Sequence, residues 1–166
     1  IRIIDVLFIA GALISFVTTA TSYAGMRRMM DTVRGTTSDD MCIKVIDKDF
    51  PSFSWGKTIV ISRKDLMENP AILTHETMHV KCGHSIDLMV YTVITTLHWF
   101  NPLIWIARTE LKMLHEYEAD ELTIKKGIDA TQYQLLLVKK AVGAKRFQLA
   151  NGFNHSKLKN RITMMH

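Results

Sequence analysis

From Val6 to Ala24 the chain carries no charged residue, and the run Val6-Leu7-Phe8-Ile9-Ala10-Gly11-Ala12-Leu13-Ile14-Ser15-Phe16-Val17 is almost wholly apolar. A stretch approaching the roughly 20 residues that cross a bilayer predicts a transmembrane helix. Asp5 precedes the run, and Arg27, Arg28 and Arg34 follow it, the reverse of the charge order in a signal peptide. By the positive-inside rule the arginine side is cytoplasmic. The competing reading is a buried core helix, to which the threonine-rich end Thr18-Thr19-Ala20-Thr21-Ser22 lends some weight.

A second apolar run, Leu88 to Ala107, is interrupted by His98, Asn101 and Pro102. Asparagine followed by proline is a helix start, because asparagine caps and proline at the first helical position gives up an N–H that has no partner anyway. One helix therefore ends near Trp99, and another runs from Pro102 through Glu116 to about Lys125. The first piece is about 15 residues, or ~22 Å, too short to span hydrocarbon of about 30 Å. The pattern predicts an apolar helical hairpin at about 86–107 that dips into the membrane or packs along it, with Trp99 and Trp105 near the interface. A hairpin in a soluble core is the alternative.

Between these runs the period changes. Gly35-Thr36-Thr37-Ser38-Asp39-Asp40 reads as a polar, flexible linker. Cys42–Ile46 and Lys57–Ile61 are short β-branched runs flanking Phe50-Pro51-Ser52-Phe53-Ser54-Trp55-Gly56, and they predict a small β-hairpin or sheet edge. An edge strand there could bind an extended peptide by strand addition. After Gly127, Thr131 can cap a helix from Gln132 to Val142 with Leu135, Leu136, Leu137 and Val138 as its buried content. The expected fold is mainly α with a small β-hairpin or sheet. Residues 1–34 form the membrane helix and a basic juxtamembrane segment, and 35–166 a second domain. The chain starts at Ile1 inside an element, so we read it as part of a longer protein.

The chemistry lies in His75-Glu76-Thr77-Met78-His79. Residues four apart share a helix face, so His75 and His79 can hold one tetrahedral zinc, with Glu76 offset as the general base that takes a proton from the attacking water. Asn69-Pro70 starts this helix, Gly83 stops it, and Ala71, Ile72, Leu73, Met78 and Val80 give it an apolar stripe to bury. Taken alone, five residues recur by chance and polar-face histidines are common. A catalytic zinc usually has three protein ligands, and the best third donor is Glu116 in His115-Glu116-Tyr117-Glu118-Ala119-Asp120. Asp120, four residues on, can accept an N–H from a ligand histidine. Glu118 points elsewhere. His84 and Asp87 lie close enough to support or compete, although Gly83 would have to reverse the chain; His98, His155 and His166 read as ordinary polar residues.

A net charge of +5 suits a surface facing anionic lipid. No phosphate loop or nucleic-acid motif accompanies it, so direct nucleic-acid binding has no support. Cys42 and Cys82 form neither a disulfide framework nor a paired metal motif and fit a reducing cytoplasm. The basic tail from Arg146, with Lys157, Lys159 and Arg161, reads as a solvated or lipid-facing end.

In order along the chain, Phe53-Ser54-Trp55-Gly56 with Ile59-Val60-Ile61, Ile72–Val80 around the two histidines, His98–Trp105, and Glu116–Glu121 resemble the BlaR/MecR family of antirepressor zinc peptidases. The resemblance extends to Arg161-Ile162-Thr163-Met164-Met165, and His84-Ser85-Ile86-Asp87 is most similar to members from Bacteroidetes-type bacteria. It implies a membrane-embedded, gluzincin-like zinc endopeptidase of the bacterial inner membrane, with its active site facing the cytoplasm. It also implies regulatory proteolysis of a protein or peptide substrate such as a transcriptional repressor. Carried over, His75, His79 and Glu116 are the ligands, Glu76 the base and Asp120 the support. No sensor domain lies within these residues, so β-lactam sensing is not implied, and a homodimer stays open. Two other readings stand beside it. A quality-control or processing protease of the Ste24/HtpX type shares both zinc motifs but not the His98–Trp105 segment. A non-catalytic signalling module with structural zinc would have no need of Glu76.

Overall fold

The computed structural model describes residues 2–33, 35–38, 40–144 and 152–165. Arg34, Asp39, Arg146 and His166 lie outside the described residues, as does the side chain of His155. The elements in chain order are α1 (Ile3–Thr32), β1 (Gly35–Ser38), β2 (Met41–Ile46), β3 (Phe53–Trp55), β4 (Thr58–Ser62), α2 (Arg63–Glu68), α3 (Pro70–Cys82), α4 (His84–Leu97), α5 (Pro102–Lys125), α6 (Ala130–Ala144) and α7 (Gly152–Met164). The fold is mainly helical with one small mixed sheet, as the sequence pattern predicts.

The sheet has the order β1-β2-β4-β3. The two β-branched runs are neighbours but parallel, with Ile43 opposite Ile59 and Val45 opposite Ile61, so they are not the two arms of a hairpin. Parallel neighbours need a crossover. Here the intervening Phe53-Ser54-Trp55 supplies it by becoming a strand itself and turning into β4 at Gly56 (φ 56°). The polar segment expected as a flexible linker is also a strand: β1 pairs antiparallel with β2 through a turn that holds Asp40 at φ 63°. Side-chain alternation gives no signal in such a polar segment, whose backbone groups find their partners on β2. β4, paired on both sides, puts Ile59, Val60 and Ile61 at the centre of the core.

α3 packs against β3, β4 and α5, which brings the sheet edge and two helices to one cleft. Pro70 occupies the first turn of α3, and Gly83 ends it in the left-handed conformation (φ 72°). Asn69 sits at the N-cap position but makes no capping bond; its amide donates instead to buried Asp65, at 3.1 Å. Asp65 also takes Lys140 from α6, which ties that helix to the sheet layer. In α6 the buried side chain is Tyr133, while Leu135 and Val138 are exposed, contrary to the leucine-rich interface expected from sequence. Polar anchoring by Asp129, which caps Gln132 N–H at 2.8 Å, and by Lys140 fixes the helix with Tyr133 inward.

α1 passes the tip of the α4–α5 hairpin at close range. The Trp99 indole covers Gly11, where an added Cβ would lie 2.1 Å from the ring, and Phe8 meets Phe100 edge-on at 5.9 Å. Gly11→Ala should therefore push the indole out of its seat and cost about 1–3 kcal/mol, as overpacking does. Thermal unfolding in detergent measures it, and an unchanged midpoint would count against this contact.

Candidate metal centre

The i, i+4 spacing on α3 turns His75 and His79 the same way, and their Nε2 atoms approach to 3.0 Å. Glu116 from α5 faces them, with one oxygen 3.6 Å from His75 Nε2 and the other 3.6 Å from His79 Nε2. These three donor atoms lie within 4.8 Å of one another. Glu118 turns away to His84, and Asp87 pairs with His115 at 3.1 Å.

The other face of each imidazole is occupied. His75 Nδ1 lies 2.8 Å from the Tyr133 hydroxyl and 3.2 Å from Asp120, and Tyr133 donates to Asp120 at 2.7 Å. His79 Nδ1 faces His84 Nδ1 at 2.7 Å, and His84 Nε2 faces Glu118 at 3.2 Å. With both Nδ1 atoms engaged in hydrogen bonds, both Nε2 atoms are left to face Glu116. Two imidazole nitrogens and a carboxylate, oriented from behind in this way, fit zinc chemistry.

Asp120 is almost fully buried, and Arg161 compensates its charge by donating through Nε at 2.8 Å and through a terminal nitrogen at 2.7 Å. The other terminal nitrogen lies 2.8 Å from Glu116. Arg161, expected in a solvated tail, instead enters the site from α7. A buried Asp120 and a half-buried Glu116 on one helix call for a cation, and α7 of the basic tail brings it. Tyr133 likewise escaped the sequence reading, since nothing in its neighbourhood marks it as different from other helical tyrosines.

Glu76 is buried beneath β3, and burial raises its pKa, opposed by His75 and by a hydrogen bond to Ser54. Burial acts against a charged His75, but Asp120 and Glu116 outweigh it and push its pKa up to about 9. Burial and the adjacent His75 bring His79 down to about 3. Burial opposes ionisation of Glu116 as well, yet His75 and Arg161 hold it at about 2. These opposite shifts favour one proton at neutral pH beyond the two that the neutral rings carry, held on His75. A metal competing for His75 must displace it, so binding should release about one proton and weaken about tenfold per pH unit as pH falls below about 9. Calorimetric titration with zinc in buffers of different ionisation enthalpy measures that release; none at pH 7 would contradict the charged His75.

The sequence profile of the family described as BlaR1 peptidase M56 matches residues 54–165, well over half of the chain. The chain belongs to this family. The match begins in β3 and runs through α7, so it takes in every side chain of the centre, and it marks the protein as metallopeptidase-like. No curated protein matches the sequence.

Proposed function

We propose that this M56 family member is a membrane-bound zinc endopeptidase that acts in regulatory proteolysis, cleaving a signalling protein such as a transcriptional repressor. The observation that carries the reading is the convergence of His75, His79 and Glu116 beside a buried Glu76, at a cleft closed on one side by a sheet edge. Zinc held by those three residues supplies Lewis acidity, lowering the pKa of water towards about 7. Glu76 accepts the proton from the attacking water and passes it to the leaving amine. Asp120 and Tyr133 hold His75 by its Nδ1, and His84 holds His79.

β3 is one of the two outer strands of the sheet, and Ser54 lines a cavity of about 170 Å³ together with His79, His84, Lys112, His115 and Glu116. An extended peptide added to that edge would lie across the centre with its backbone paired. This geometry favours an unfolded or extended segment as substrate.

Membrane attachment is supported by α1, which is long and apolar enough to cross a bilayer. Met89, Val93, Leu97, Phe100, Leu103 and Ile106 are also exposed on the hairpin beside it. At the hairpin tip Asn101 caps Leu103 at 3.0 Å, and Trp105 donates to the Trp99 carbonyl at 3.0 Å, so the turn satisfies its own polar groups as a segment entering lipid must. Arg27 and Arg28 then lie on the cytoplasmic side with the metal centre. Impermeant thiol labelling of a cysteine placed beside Arg28 checks this, and labelling from outside intact cells would reverse the orientation.

The test of function is a proteomic comparison of cells carrying the parent with cells carrying Glu76→Ala. One protein should be stabilised in the variant, and its cleavage by purified parent should stop on chelation. A processing protease would stabilise many proteins, and a non-catalytic module none.

A further inference from the structure

Behind His79 a second set of donors converges. Cys82 ends α3, and the left-handed turn at Gly83 brings His84, the first residue of α4, back against the His79 ring. Glu118 comes from α5, two residues beyond Glu116. Cys82 Sγ, a ring nitrogen of His84 and a Glu118 carboxylate oxygen lie within 4.8 Å of one another. The central member is held in place: His84 is buried and stacked on His115 at 4.0 Å and 10°, and His115 Nε2 is in turn bonded to Asp87 at 3.1 Å. Cys82 is half-buried and Glu118 exposed, so the group opens to solvent.

We propose that Cys82, His84 and Glu118 form a second site for a thiophilic divalent cation such as zinc, and that filling it weakens metal binding at His75, His79 and Glu116. Thiolate, imidazole and carboxylate are zinc's usual donors, and a water completes four-coordination. Cys82 binds as thiolate, its proton leaving to solvent.

The opposition follows from counting protons. A neutral imidazole carries one N–H. With His79 Nε2 turned to the first centre, its proton sits on Nδ1 and is donated to His84 Nδ1, 2.7 Å away. The His84 proton is then on Nε2, facing Glu118 at 3.2 Å. A cation on His84 Nε2 moves that proton to Nδ1, where it confronts the Nδ1–H of His79. Two donors then face each other and one ring must turn away. Such coupling is reciprocal, so each metal weakens the other.

The second site stands on its own donors, whereas the coupling rests on the first centre holding metal as proposed above. The test is cobalt titration of the full chain in detergent, in a Cys42→Ser background, so that sulfur-to-cobalt charge-transfer absorption can come only from Cys82. The first equivalent should bind without that band. The band should appear only with excess cobalt and vanish in Cys82→Ser, which keeps the first equivalent. Chelator competition should show the first metal held at least about fivefold more weakly once the band has saturated, and no such change in Cys82→Ser. Absence of the band at any cobalt concentration overturns the site. A band with unchanged affinity for the first metal overturns the coupling. A band with no other bound cobalt would leave the second site standing while defeating the first centre and the coupling that rests on it.

Discussion

Glu76→Gln should reduce peptide hydrolysis by about 10²- to 10⁴-fold while leaving bound metal unchanged, because it removes a proton acceptor and no ligand. The substitution keeps size and shape in a buried position on α3, and the three converging donors belong to other residues. Burial, the leading influence on Glu76, moves its pKa upward, towards the range where a carboxylate takes a proton readily and gives it back. The measurement is turnover of a peptide from the stabilised substrate, alongside metal content for parent and variant. Turnover close to the parent's would mean that another group accepts the proton.

Arg161→Met should be the most damaging change outside α3 and α5. It leaves Asp120 without its two-point partner, and Glu116 without its nearest cation at 2.8 Å. Removing one member of a buried ion pair costs about 3–5 kcal/mol, most of it from the charge left behind. A matching Asp120→Asn change should recover part of that loss, since it removes one of the stranded charges. Thermal unfolding of the single and double variants in detergent measures both effects. A single variant within about 1 kcal/mol of the parent would show that water replaces the guanidinium freely, and that α7 is not fastened through it.

The sequence by itself determined the features that depend on near neighbours. Pro70, Gly83 and Asn101-Pro102 set where α3 stops and where α3 and α5 begin, since proline, a left-handed glycine and the Asn101 cap all act within one turn of backbone. The spacing of His75 and His79 put both rings on one face for the same local reason, and the uncharged run after Asp5 made α1 a single long helix. Only the tertiary structure decided what joins distant segments. The parallel register of β2 and β4 depends on β3 inserting itself as the crossover, which alternation within each run cannot reveal. Tyr133, Arg161 and the pairing of His84 with His79 and Glu118 depend on α6, α7 and the reversal at Gly83 arriving around one buried cluster. Buried charge and unpaired ring nitrogens demand partners, and chain order does not say which helix will bring them.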